Sequence, residues 1–176
     1  MMIDGLELPD VPRAWFVRPD GFDASGTIHG LTHTLRVWVH AQEIAREVAL
    51  SPWQVEALHH AALWHDIGRV GDHPDYYHGA RSTGRAIGLG LHEGLPELVR
   101  EAAFLAVTHH CGDERYADRA LAYTPDPDAF GAVFRVLKDA DALDRVRLGG
   151  VDTSYLHYPQ TRLHVAHAWD FLREIP

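Results

Sequence analysis

The stretch AALWHDIGRV, residues 61–70, sets a histidine directly against an aspartate, His65-Asp66, at the end of an apolar run. Ser51, Pro52 and Gln54 upstream form a capping-box helix start with proline at the first helical position. Val55, Leu58, Ala61 and Ala62 then step down one helical face to His65, and Gly68 stands just beyond, as a helix C-terminal glycine would. The doublet therefore falls where a helix is expected to be buried. An imidazole and a carboxylate buried there without partners would each carry a heavy desolvation penalty.

The same 3.6-residue periodicity extends in both directions. A first helix over residues 31–49 carries Val37, Ala41, Ile44 and Val48 on one stripe, with His33 and His40 on the same side. A third covers residues 80–87 and stops in the glycines at 88 and 90. A fourth starts at Pro96-Glu97 and runs through Leu98, Ala102, Leu105 and Ala106 to His109-His110. The segment DERYADRALAYTPDPD reads as a loop into a fifth helix over 128–146, and a last amphipathic helix covers 161–173. No strand pattern is convincing, so the expected fold is an all-α bundle of about six helices with no significant sheet. Residues 1–28, rich in Pro, Gly and Asp, read as an irregular arm, and residues 29–176 as a single domain.

A chain of 176 residues can bury a real core, and 46% hydrophobic with 23% charged residues is ordinary for a soluble globular protein. No apolar run approaches the roughly 20 residues of a membrane span, and the N-terminus lacks a signal-peptide pattern. One cysteine, Cys111, excludes an internal disulfide framework and fits a reducing cytoplasm. A net charge of −9 argues against a sequence-independent grip on a nucleic-acid polymer. Small anionic substrates remain compatible, because bound cations invert the local field. The unusual feature is 14 histidines, spread along the chain rather than gathered as a tag.

Several of them fall on apolar faces. His33 extends the first stripe, and His65 extends the second. His109 follows Leu98, Ala102, Leu105 and Ala106, whereas His110 follows Val99, Ala103 and Val107. On the fifth helix Phe130, Phe134 and Leu137 lead by steps of three and four to Asp141, while Asp139 faces about 200° away. Any one of these alone is most simply a satisfied core residue. Together they make a set of neutral imidazoles and carboxylates that a divalent transition metal would satisfy, with ligands arriving from separate helices.

In order and spacing, HGLTHTLRV around His33, HDIGR around the doublet, HGARS, THH and KDADALD resemble the HD-domain superfamily of metal-dependent phosphohydrolases. The resemblance spans about residues 29–145 and makes residues 29–176 an HD-type domain. It implies that His33, His65, Asp66 and Asp141 hold one metal, with Asp139 as the rival for the last place. It also implies a second metal, bridged by Asp66 and held by His78 and by His109 or His110. The cofactor is then one or two divalent ions of Mn, Fe, Co, Ni or Zn. His29, at i−4 from His33, is a further ligand or substrate contact.

Arg69, Arg81 and Arg145 flank these positions, and an arginine fork suits phosphate oxygens. The expected activity is hydrolysis of a nucleotide or other small phosphoester by metal-activated water, with Asp66 and His110 as the residues acting in the chemistry. Nothing in the sequence activates Cys111 as a nucleophile. The GYP extension of cyclic-dinucleotide enzymes is absent after the paired histidines, where HHCGDERYAD stands instead. Two other readings share these signals: an HD-type mixed-valent di-iron oxygenase and a non-catalytic metal-binding sensor. His40, His59, His60 and His92 read as surface or packing residues. His157, His164 and His167 read as a solvated helix face, and apolar residues on the last helix would permit a homodimer.

Overall fold

Helix α2 (Pro52–Trp64) is the centre of the molecule, and its composition explains why. Ala57, Leu58, Ala61, Ala62, Leu63 and Trp64 are all buried, so the helix is apolar nearly all round and has to be surrounded. It packs against α1 (Leu31–Glu47), α4 (Glu97–His109) and α6 (Pro127–Leu143). Its start is fixed by Gln54, whose Oε1 accepts the Ser51 N–H at 2.9 Å and the Ser51 hydroxyl at 2.7 Å. The Gln54 amide group also donates to the Ala129 carbonyl on α6 at 2.9 Å. The remaining helices are α3 (His78–Gly88), laid along α4, then α5 (Glu114–Leu121) and α7 (Val165–Glu174). This computed structural model describes residues 2–175. Seven α-helices among them make the fold all-α. None is long and apolar enough to cross a membrane.

The structure departs from the sequence expectation in five places, each for a local reason. The stretch read as a loop after α4 contains α5, capped by Asp113, whose side chain accepts the Arg115 N–H at 2.9 Å. Only Ala117 and Leu121 of α5 are buried, one i,i+4 pair in an otherwise charged segment, which leaves no periodic stripe to read. The fifth helix stops at Leu143 and tightens into a 3-10 turn, Asp144–Leu148; the last begins as a 3-10 turn, Gln160–His164, before α7.

The N-terminal arm holds a minimal antiparallel hairpin, β1 (Met2–Ile3) with β2 (Leu6–Glu7), around Asp4 and Gly5 at φ of 47° and 74°. That is the Asp-Gly turn chemistry of tight hairpins, and it buries Ile3 and Leu6. Arg85 of α3 ties the arm down by donating to the Ala14, Trp15 and Val17 carbonyls.

Gly68 is also not the left-handed cap expected of it, since its φ is not positive. It is glycine because α3 crosses so closely that a Cβ would lie 2.2 Å from Ser82 N. Its N–H donates to Ser82 Oγ at 2.9 Å and its carbonyl accepts from Arg81 Nε at 3.1 Å. This locks the chain just after the doublet.

Candidate metal centre

Helix ends converge on one place. His33 lies in the first turn of α1 and His78 opens α3. His65 and Asp66 follow α2, His110 follows α4, and Asp141 sits in the last turn of α6. Three C-termini thus meet here, each carrying about half a negative charge from its unpaired carbonyls, a field that favours cations.

Asp66 is the hub. Its Oδ2 is 3.1 Å from His29 Nδ1, 3.4 Å from His33 Nε2 and 3.7 Å from His65 Nε2. Its Oδ1 is 3.0 Å from His78 Nε2 and 3.7 Å from His110 Nε2. Asp141 Oδ1 joins the first group at 3.3 Å from His33 Nε2, with about a third of its side chain open to solvent. The two oxygens of one buried carboxylate therefore face two separate histidine groups.

The imidazole tautomers follow from their outer partners. His65 Nδ1 lies 2.8 Å from the Ala62 carbonyl, His110 Nδ1 2.7 Å from the Val107 carbonyl and His78 Nδ1 2.5 Å from the Asp75 carbonyl. Carbonyls only accept, so each Nδ1 carries the proton and each neutral ring turns an Nε2 lone pair inward. Yet His33 and His65 Nε2 stand 3.1 Å apart, and His78 and His110 Nε2 2.9 Å apart. Facing lone pairs at such distances need a positive charge between or beside them.

The protonation balance points the same way. Burial opposes charging His33, but Asp141, Asp144 and Asp66 outweigh it and raise its pKa to about 10. Burial likewise opposes charging His78, whereas Asp66 and Cys111 bring it to about 10. His65 goes to about 4, chiefly by burial. Burial also works against ionised Asp66, and the surrounding histidines overcome it and hold the carboxyl well below its usual range. The site thus favours positive charge at two points, and nitrogen and oxygen donors of this kind suit divalent transition metals.

An outer layer holds these donors still. Asp144, fully buried, accepts from His33 Nδ1 at 2.7 Å and from Arg36 Nε at 2.6 Å and Nη2 at 3.2 Å. Arg36 Nη1 reaches on to the Ile175 carbonyl at 2.7 Å. A carboxylate behind a ligating histidine fixes its ring and raises its basicity. Sequence reasoning passed over this pair, although Arg36 is i+3 from His33 and Asp144 is i+3 from Asp141, charged residues at buried-face spacing.

The other expected residues separate cleanly. His109 has no contact with the cluster among the described residues, so of the adjacent pair it is His110 that turns inward. Asp139 is spent elsewhere: its oxygens accept from the His157 and Tyr158 N–H groups at 2.8 and 3.1 Å and from Thr161 Oγ1 at 2.8 Å, anchoring the C-terminal segment. A cavity of about 750 Å³ opens over the cluster, lined by His29, His78, His110 and Asp141. Arg69 and Arg145 line it too, and Arg69 Nε donates to Asp66 Oδ2 at 3.1 Å.

Arg81 does not line the cavity, contrary to its expected role as a phosphate contact. Its guanidinium is committed to Asp75 and to the Gly68 carbonyl, which makes it a brace for the doublet. Cys111, set aside in the sequence reading, has its Sγ close to the His78 and His110 donors. Burial raises its pKa, but His78 and His110 outweigh that and lower the thiol below its usual range.

A family model for the HD domain matches residues 30–146. Comparison with curated proteins and with solved structures gives no match. The matched segment takes in helices α1 to α6 and every member of the cluster except His29. The chain belongs to the HD-domain superfamily.

Proposed function

We propose that this protein is a phosphohydrolase acting on a nucleotide or another small phosphoester. The observation that carries the reading is Asp66, with one oxygen toward His33 and His65 and the other toward His78 and His110. In this reading His33, His65, Asp66 and Asp141 hold one divalent transition metal (Mn, Fe, Co, Ni or Zn). His78, His110 and the second oxygen of Asp66 hold another, with Cys111 beside them and His29 beside the first. Divalent metal bound there would lower the pKa of a coordinated water and polarise a phosphoryl oxygen.

The chain's own part is placement and charge. Arg69 pins Asp66 through Nε, and Asp66 sets the relation between the two donor groups. Arg145, exposed at the cavity and without a carboxylate partner among the described residues, is available for phosphate oxygens. Lys138 lines the cavity as well, 2.9 Å from Glu114. The volume falls within the range of small-molecule sites. Asp72, Asp75 and Asp152 around the same opening disfavour a polyanion, in keeping with the overall charge of −9.

The test is metal content of chelator-free protein by inductively coupled plasma mass spectrometry, followed by phosphate release from a panel of nucleotides and phosphoesters. His110→Gln should carry about one ion per chain fewer than wild type and His109→Gln, with phosphate release lost only in His110→Gln. No metal after reloading with manganese would sink the reading. Full occupancy without release from any ester would leave a sensor, and iron with oxygen uptake would make it an oxygenase.

A further inference from the structure

A second group of metal-ligating side chains lies away from the cavity, further along α1 than His33. Glu43 Oε2 is 3.5 Å from His164 Nδ1, and Glu43 Oε1 is 3.7 Å from His167 Nδ1. The far nitrogens of both rings meet outer carboxylates: His164 Nε2 is 3.0 Å from Glu47 Oε1, and His167 Nε2 is 3.0 Å from Asp4 Oδ2. These two histidines therefore do not form the solvated face expected of them, because they turn in against α1. None of these residues lines the large cavity.

The group does not close as hydrogen-bonded ion pairs. A charged histidine–carboxylate pair closes to about 2.7–2.9 Å with an aligned N–H. The Glu43 separations are longer than that, and Glu43 Oε2 and His164 Nε2 are buried without a hydrogen-bond partner. The 3.0 Å approach to Glu47 is thus an ion-pair distance without hydrogen-bond alignment. Separations of 3.5 and 3.7 Å instead lie near the ligand–ligand edge, about 3.3–3.6 Å, of a tetrahedron with bonds of about 2.0–2.2 Å.

A second observation is independent of these rings. His40 is fully buried, neither of its ring nitrogens has a partner, and its Nδ1 is aimed at Glu43 Oε2 from 3.9 Å. Its ring rests on Phe171, which also carries His167. A buried imidazole with both nitrogens unsatisfied is costly, and the one nearest Glu43 faces the place where a cation on Glu43 would sit.

We propose that Glu43, His164 and His167 form a separate, structural site for a borderline divalent cation of the zinc type, clamping the C-terminal helix and the N-terminal hairpin onto α1. The carboxylates of Glu47 and Asp4 behind the two rings are the outer partners such ligands use. The proposal is independent of what the main centre holds, because its test reads a difference. Wild type and the His164→Gln/His167→Gln double variant are dialysed against Zn2+ and their zinc counted by mass spectrometry. The variant should carry one zinc fewer per chain and lose part of the rise in melting temperature that zinc gives wild type. Equal zinc content overturns the proposal. Should the double variant not fold, nitrogen-15 spectra of wild type decide: the His164 and His167 Nδ1 signals should move on zinc addition while those of His157 stay. Unmoved His164 and His167 signals overturn it equally.

Discussion

Asp144→Asn tests the claim that the centre is tuned from outside its ligands. Asp144 is fully buried and takes three donors, His33 Nδ1 at 2.7 Å and Arg36 Nε and Nη2 at 2.6 and 3.2 Å. The amide keeps the shape but leaves one accepting oxygen for two donor groups. If that oxygen faces Arg36, the amide N–H group faces His33 Nδ1, which must then accept and shift its proton to Nε2, the atom aimed at the cluster. Loss of such an outer partner costs about 10–100-fold in metal affinity, which is about 1.4–2.8 kcal/mol. Stability falls separately, because Arg36 is buried and loses its counter-charge. Breaking one side of such a pair costs about 3–5 kcal/mol, and the retained oxygen places the amide near the lower figure. At about 2–4 °C per kcal/mol for a chain of this length, the melting temperature should drop by about 6–12 °C. Metal affinity is read by Mn2+ competition against a chelating dye, with circular dichroism confirming that the variant is folded at the working temperature. A variant that melts lower yet binds Mn2+ as tightly as wild type would refute the tautomer argument and leave Asp144 a purely structural anchor.

Two further substitutions probe the frame around the centre. Gly68→Ala would put a Cβ 2.2 Å from Ser82 N and 2.4 Å from the Arg81 carbonyl carbon, backbone atoms that cannot swing away, so α3 has to shift. Urea unfolding should show a loss at or above the upper end of the roughly 1–3 kcal/mol typical of overpacking; a wild-type midpoint would mean the crossing is looser than described. His157→Gln reads the C-terminal anchor through pH. The hydrogen bond with Asp139 at 2.7 Å, opposed by burial and aided by Glu114, raises the His157 pKa above its ordinary value. A proton held more tightly in the folded chain stabilises fully below the unfolded pKa of about 6.5, and that gain is lost as pH rises through the raised folded value. The stability gap between wild type and variant should be wider at pH 6 than at pH 9 in denaturant melts, and a gap that widens with pH would reverse the assignment.

What the sequence could show was decided by how far each residue's partners lie along the chain. Spacing alone places His33 and His65 on buried faces, sets Asp141 on the side of the centre and turns Asp139 to another side, because a helix's own period carries that information. The same period could not choose between His109 and His110. Alanines at 102, 103 and 106 make both flanks of α4 apolar, and only the structure shows Leu98 44% exposed while Val99 and Val107 are buried beneath the His110 side. Helix α5 escaped because a single Ala117–Leu121 pair is no stripe. His164 and His167 were misread for a different reason. Their positions look polar along their own segment, and Glu43, the group that draws them inward, is more than a hundred residues away. Asp144 and Arg36 were legible in principle, since both stand at i+3 from a residue already singled out, but each charge makes sense only once the other is beside it.

Helix ends also explain why a site this polar can be buried at all. The last carbonyls of α2 and α4 have no intrahelical donor, and in this chain the Ala62 and Val107 carbonyls are met by the Nδ1–H of His65 and His110. One side chain thereby closes a helix and presents a second nitrogen, its tautomer set by the first contact. Asp66 repeats the economy with its two oxygens, and Asp144 with its own, shared between His33 and Arg36. His33, His65, His78 and His110 are each held at Nδ1 by Asp144 or by a backbone carbonyl, which leaves their Nε2 atoms turned toward the centre. The imidazole part of the cluster is therefore oriented before any ion arrives. A cation entering it would not have to order the side chains that receive it, which reduces the entropic cost of binding.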